Sequence, residues 1–168
     1  MLRALDLAAL RLLRTRGHAP AVESAVIVLS RSGENGLLWY TIALAGAFFE
    51  PAARPLYRRA AMAVLASFAL SQAVKRAVRR ARPLLDDLPA LVGTLSGRSY
   101  PSSHAATSFA AARVLRLALP ALPLYGLAGA MALSRPYLGV HYPSDALAGA
   151  ALGDAVARLL GPGAAAGP

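Results

Sequence analysis

Ser134-Arg135-Pro136-Tyr137-Leu138-Gly139-Val140-His141-Tyr142-Pro143-Ser144-Asp145 places an arginine, a histidine and a carboxylate at the junction of two strongly apolar segments. Hydration alone gives no reason for such groups there, so the placement marks a candidate site. Proline is suited to the first position of a helix, so Pro143 puts His141 just ahead of a helix and Asp145 in its first turn, looking back. A carboxylate so placed can hold an imidazole in one tautomer and stabilise its charged form. The plainer alternative is that Asp145 only caps the helix and His141 is an interfacial histidine.

The segments on either side, residues 121–134 and 145–160, belong to a series that also includes residues 37–49, 60–74 and 104–119. Most of these runs fall short of the roughly 20 residues that cross a bilayer comfortably. Taken singly, each could be a core helix. What decides for a membrane is five or six in sequence, joined by basic or proline-rich turns, with little amphipathic alternation. Ser32-Gly33-Glu34-Asn35-Gly36 is a turn with helix-start chemistry, and Trp39 and Tyr40 stand where an aromatic belt would place them. A basic loop is expected around Arg54, Arg58 and Arg59. Small residues crowd Ala105 to Ala112 and Ala146 to Ala155, as close helix packing in lipid requires.

Composition agrees with this class. The 168 residues are 57% hydrophobic and 15% charged, with mean hydropathy +0.48, far from the balance of a soluble domain. The length suits one domain. No cysteine is present, which excludes disulfides and thiolate metal sites. The net charge of +10 lies in short clusters between apolar runs, which fits anionic lipid head groups better than nucleic acid. Leucines interleaved with arginines over residues 1–18 read as an amphipathic helix on a membrane surface, not a signal peptide. Residues 19–30 are either a short span or a continuation of that surface element, and His18 and Glu23 are read as interfacial. The expected organisation is a surface segment at 1–18, one membrane domain at 19–160 and a disordered Gly/Pro/Ala tail at 161–168.

Two more polar clusters accompany the first. Lys75-Arg76-Ala77-Val78-Arg79-Arg80-Ala81-Arg82-Pro83 would place Lys75 and Arg82, with Arg79 nearby, on one helix face. The same residues also suit a positive flank that stops a membrane helix. Tyr100-Pro101-Ser102-Ser103-His104 leads into the small-residue helix, and a serine-rich helix start is a ready anion site with His104 in its first turn. Together the clusters supply three cations, a helix N-terminus and two histidines. Arginine forks and lysine suit a phosphate. Neither a carboxylate cluster for magnesium or calcium nor zinc-type histidine spacing accompanies them. Metal-free phosphoryl transfer with no cofactor is the remaining chemistry.

Lys75 with six residues to Arg82-Pro83, Pro101-Ser102-Ser103-His104, and Ser134-Arg135 with five residues to His141 and three more to Asp145 resemble the three-part signature of the type 2 phosphatidic acid phosphatases. The motifs span residues 75–145, and the order of apolar segments extends the likeness from about residue 36 to 160. The resemblance implies an all-α polytopic membrane helix bundle of five or six transmembrane helices with a PAP2-type core, preceded by the amphipathic helix. It also implies roles. His141 would attack phosphorus and form a phosphohistidine, Asp145 would orient and charge it, and His104 would protonate the leaving oxygen and later activate water. Lys75, Arg82 and Arg135 would hold the phosphoryl oxygens, with Ser102 and the Ser103 backbone donating to them. Serine at 103, where the family usually has glycine, is the one departure.

The implied partners are a lipid phosphate and membrane lipids, with no nucleic acid. Residues 88–112 look more like small bacterial polyprenyl-phosphate phosphatases than diacylglycerol types. Decaprenylphosphoryl-phosphoribose phosphatases look nearest, and undecaprenyl diphosphate and phosphatidic acid phosphatases are the rivals. Soluble vanadium haloperoxidases share the wider fold but not this apolar content. A silent lipid-phosphate-binding membrane protein is the alternative from another class. Asp86, Asp87 and Arg98 are candidates to contact a sugar. If residues 19–30 cross, Arg3, Arg11, Arg14, Arg16, Arg54, Arg58, Arg59, Arg113, Arg116 and Arg158 fall opposite the site, ten against eight. The positive-inside rule then puts the site outside the cytoplasm of a bacterial plasma membrane. If they do not cross, the inference reverses.

Overall fold

The computed structural model describes residues 2–94 and 96–161; the tail from 162 onward lies outside the described residues. The helices are α1 (Leu2–Thr15), α2 (Pro20–Ser32), α3 (Leu37–Phe49), α4 (Arg54–Val78), α5 (Ser103–Leu115), α6 (Ala121–Tyr137) and α7 (Pro143–Leu159). Short 3-10 turns at Glu34–Gly36 and Pro51–Ala53 precede α3 and α4. Among the described residues there is no strand, only one isolated antiparallel bridge between Ala81 and Arg98.

Helix α5 is the centre of the bundle and packs against α4, α6 and α7. Its alanines make this possible, with Ala105, Ala106, Ala110, Ala111 and Ala112 all buried. Side chains this small let backbones approach closely where lipid offers no hydrophobic drive between helices. The closest approach is to α7. A Cβ on Gly153 would lie 2.0 Å from the Ala106 carbonyl oxygen, and one on Gly149 would lie 2.3 Å from that of Ser102. Nothing larger than glycine fits this seam, which brings the start of α7 against the start of α5.

The outer faces stay apolar, with Leu44, Phe48, Phe49, Met62, Leu65, Leu122, Leu133, Leu147 and Leu159 exposed. Such a girdle is unfavourable in water and natural in hydrocarbon. Among the described residues, one stretch, Pro51–Val78 with 28 residues, is long and apolar enough to cross a membrane by length and composition.

Four local expectations are corrected. Arg54, Arg58 and Arg59 are not a loop but the first turns of α4, because Pro55 is tolerated at a helix start. Trp39 does not face a lipid belt; it is buried against α5, where its indole Nε1 donates to Ser108 Oγ at 2.8 Å. Helix α4 ends at Val78, with Arg79 in left-handed conformation, so Lys75 and Arg82 do not share a helix face. Residues 80–82 instead run extended beside 97–99, with Ser99 N–H donating to Arg80 O and Arg82 N–H to Gly97 O.

The fourth correction concerns the N-terminus. Asp6 meets Ser144, Arg11 pairs with Asp87, and Arg14 donates to the carbonyls of Pro89 and Tyr137, so α1 lies over the connections that carry the motifs. Both ends of the following segment meet the last turn of α6: the His18 ring stacks on Tyr137 at 4.1 Å, and Ser30 contacts Arg135. Arg3, Arg11, Arg14 and Arg16 thus lie at the motif end of the bundle, and the ten-against-eight count does not hold.

Candidate active site

Each motif arrives on a different element. Lys75 stands in the last turn of the long helix α4, and its ammonium donates to the carbonyls of Ser99 and Pro101, tying α4 to the segment before α5. Ser102 caps α5 by accepting from Ala105 N–H at 3.4 Å, while its own N–H donates to the Asp145 carbonyl at 2.9 Å. That backbone bond joins the second motif directly to the third. At the start of α7, Tyr142 N–H donates to Asp145 Oδ2 at 2.9 Å, the inward-looking carboxylate that the position of Pro143 predicts.

These elements enclose a cavity of ≈ 580 Å³ lined by Lys75, Arg82, Ser103, His104, Arg135 and His141, together with Gly33–Gly36, Phe68, Gln72, Gly93, Thr94, Ser96 and Thr107. The structure therefore brings together all the expected site residues except Ser102 and Asp145, which are buried behind the wall; Asp145 faces His141 through it, whereas Ser102 lies away from where a phosphate would sit. Among the described residues, three cationic side chains and one carboxylate, Glu34, line the cavity, so it suits an anion carrying more than one charge.

Arg82 reaches the cavity from the extended segment. Its Nε donates to Ser96 O, and its Nη1 donates to Val140 O at 2.5 Å and lies 3.2 Å from His141 Nε2. Guanidinium nitrogens only donate, so Nε2 is the accepting nitrogen and Nδ1 carries the proton. His141 Nδ1 faces Asp145 Oδ2 at 3.5 Å, with His141 2% exposed and Asp145 fully buried. Burial pulls His141 down to about 3, opposed by Asp145 and reinforced by Arg82, Lys75 and Arg135. The imidazole is neutral at physiological pH, with an unprotonated nitrogen beside the arginine.

His104 is fixed by a residue that the sequence did not single out. Its Nε2 donates to the Ser30 carbonyl at 3.1 Å, and the Ser30 hydroxyl accepts from Arg135. Ser30 thus sets the orientation of a histidine and an arginine from different motifs. Ser103 is accommodated by α4: its hydroxyl pairs with Ser71 Oγ at 2.7 Å and accepts from Gln72 Nε2 at 3.1 Å. Arg80, passed over within its basic run, donates 2.8 Å to Asp145 Oδ1. Asp86, Asp87 and Arg98 do not line the cavity, and Asp87 is spent on Arg11. Glu34, Asn35, Gln72, Thr94 and Ser96 add further polar groups to the lining. Among the described residues, no group of three or more His, Asp or Glu side chains is placed to hold a metal ion.

Comparison with known proteins agrees with this arrangement. The chain is 40% identical over 132 residues to the decaprenylphosphoryl-5-phosphoribose phosphatase of Mycolicibacterium smegmatis, covering 77% of this chain and 72% of that protein. It is 42% identical over 137 residues to the protein of the same name from Mycobacterium tuberculosis strain H37Rv, covering 79% and 75%. The fold matches the crystal structure of Aquifex aeolicus LpxE with TM-score 0.80 at 23% identity, covering 93% of this chain and 94% of that one. It also matches a transmembrane PAP2 type phosphatidylglycerolphosphate phosphatase from Bacillus subtilis with TM-score 0.78 at 24% identity, covering 95% and 84%. The model of the PAP2 superfamily matches residues 56–161, which hold all three motifs. Fold, motif order and cavity together make this chain a member of the PAP2 superfamily.

Proposed function

We propose that this protein is a membrane phosphatase that removes the terminal phosphate of a polyprenyl-linked phosphosugar through a phosphohistidine, without a metal. The observation that carries the chemistry is that Lys75, Arg82 and Arg135 line one cavity with His141, whose unprotonated nitrogen lies 3.2 Å from Arg82 Nη1. His141 Nε2 attacks phosphorus as the bond to the leaving oxygen breaks, and the three cations hold the phosphoryl oxygens throughout. His104, whose Nε2 proton stays on the Ser30 carbonyl, acts as the imidazolium formed by taking one proton from the bound phosphate monoanion, and gives that Nδ1 proton to the leaving oxygen. It then takes a proton from the water that cleaves the phosphohistidine, releasing inorganic phosphate and restoring both histidines. Positioning and electrostatics do most of the work in such a transfer. Asp145 holds the proton of His141 on Nδ1 and balances the charge that develops on the ring.

Two features support the phosphosugar. The relatives above are named for decaprenylphosphoryl-5-phosphoribose. Glu34, the one carboxylate lining the cavity among the described residues, accepts hydroxyl groups readily and disfavours a second phosphate bonded directly to the first, which favours a phosphate carried on a polyol over a diphosphate. The lipid stays in the bilayer beside the apolar outer faces while the head group enters the cavity. Purified enzyme in one detergent with EDTA, offered a polyprenyl-phosphosugar phosphate, a polyprenyl diphosphate, phosphatidic acid and a short soluble phosphate ester, is expected to turn over the first with the highest kcat/KM. Preference for the soluble ester over all three lipids would remove the lipid assignment, and absence of turnover on any would leave only a binding protein.

The same reading makes residues 19–160 one membrane domain with five crossings, α3 to α7, and α1 and α2 at the site end. Site-side cations are then Arg3, Arg11, Arg14, Arg16, Arg31, Lys75, Arg76, Arg79, Arg80, Arg82, Arg98 and Arg135, twelve against six at the other end. The positive-inside rule favours a site facing the cytoplasm, the reverse of the count made with residues 19–30 crossing. Gly97→Cys is suited to test this, since position 97 is exposed and a Cβ there meets nothing within 4 Å. In this cysteine-free chain it is expected to resist a membrane-impermeant maleimide in intact cells and to react after permeabilisation. Labelling in intact cells would place the site outside.

A further inference from the structure

Arg80 belongs to none of the three motifs as groups that touch a phosphate, yet its guanidinium joins three elements. Its Nη1 donates to Asp145 Oδ1 and to Ser144 Oγ, both at 2.8 Å. Its Nη2 donates to Asp6 Oδ2 at 2.7 Å, and its plane lies over the Tyr142 ring at 4.0 Å. Asp6 in turn accepts from Ser144 N–H at 3.0 Å and from Ser144 Oγ at 2.5 Å. Asp6 is 9% exposed and Asp145 fully buried, so both carboxylates have given up most of their water. An uncompensated buried charge is costly, and Arg80 supplies the compensation for both. Despite the opposing effect of burial, hydrogen bonds from Arg80 and Ser144 hold the Asp6 carboxyl below its ordinary range, so it is ionised at neutral pH.

Packing alone does not hold the guanidinium in place. It borders a cavity of ≈ 810 Å³ between α1 and the start of α7, also lined by Arg3, Leu5, Asp6, Tyr142 and Ser144. Without Asp6, Arg80 has space to swing away and hydrate, which leaves Asp145 Oδ1 without its donor and Tyr142 N–H alone to hold the carboxylate toward His141. The carboxylate that prevents this comes from the N-terminal helix, far away in sequence.

We propose that Asp6 and Arg80 are positioning residues that hold Asp145 against His141, which makes helix α1 a working part of the active site. This rests on the reading that Asp145 orients the nucleophile. The test is a kinetic comparison of full-length Asp6→Ala, Arg80→Ala and the double variant, with Asp6→Asn and Arg80→Lys as conservative partners. Asp6→Ala is expected to lower kcat on the order of tenfold and Arg80→Ala on the order of a hundredfold, each with KM within about twofold of wild type. The double variant is expected to be no slower than Arg80→Ala, since residues in one network are not additive. Arg80→Lys and Asp6→Asn should recover part of the loss, and the rate of phosphohistidine formation should fall in parallel with kcat. Arg11→Ala, which cuts a different contact of α1, should leave kcat unchanged.

A KM increase with unchanged kcat in Arg80→Ala would make it a phosphate ligand and overturn the proposal. Multiplying losses in the double variant, or a fully active Asp6→Ala, would remove the link to α1. Asp145→Asn in the same assay separates the two levels. If it retains full activity, the reading of Asp145 itself fails; if it loses activity while Asp6→Ala does not, only the coupling fails.

Discussion

His141→Ala is expected to abolish phosphate release, by at least on the order of ten-thousandfold, because no other group can take the place of the attacking nitrogen. Wild-type enzyme quenched during turnover should carry an acid-labile phosphoryl group on His141, and the variant none. The variant should fold, since His141 Nε2 receives one donor, Arg82, which keeps Val140 O and Ser96 O as partners. It should also still bind inorganic phosphate, because Lys75, Arg82 and Arg135 remain. Removing His141 therefore separates binding from chemistry, as no change to the cations would. Substantial activity in the variant, or loss of wild-type activity in EDTA, would defeat the mechanism.

Asp145→Asn should cost on the order of a thousandfold in kcat while leaving a folded protein. Both oxygens of Asp145 are committed as acceptors: Oδ1 to Arg80, and Oδ2 to Tyr142 N–H with His141 Nδ1 beyond it. An amide has one accepting oxygen, so one of these donors must face an NH2 group. If the NH2 turns toward His141, the ring is driven to the other tautomer and its nucleophilic lone pair is lost. If it turns toward Arg80, the geometry at His141 survives, but the negative charge that stabilises the positively charged phosphohistidine is gone. The backbone bond from Ser102 N–H to the Asp145 carbonyl is untouched by either outcome, which is why folding should persist. Activity within tenfold of wild type, with an unchanged melting temperature, would show that the carboxylate does not act on His141.

What the chain declares by itself is what rests on local chemistry. The apolar runs announced the helices from Leu37 onward, and Pro143 announced a helix start with Asp145 looking back at His141, because caps and first turns depend on residues only a few positions apart. The family signature likewise lies in three short motifs, so the superfamily was legible before any fold. Local reasoning failed where a side chain's partner is remote in sequence. Trp39 looked like a belt residue because its acceptor, Ser108, lies on another helix. In the run from Lys75 to Arg82, nothing local distinguishes Arg79, exposed after a left-handed turn, from Arg80, which holds Asp145. Asp6 is one charge on an amphipathic helix, and Ser30 lies unmarked at the end of a short apolar run. Tertiary packing alone decided that α1 lies at the site end. The physical reason is that a buried charge is fixed by the partner that replaces its lost water, and that partner is chosen by the packing of whole helices.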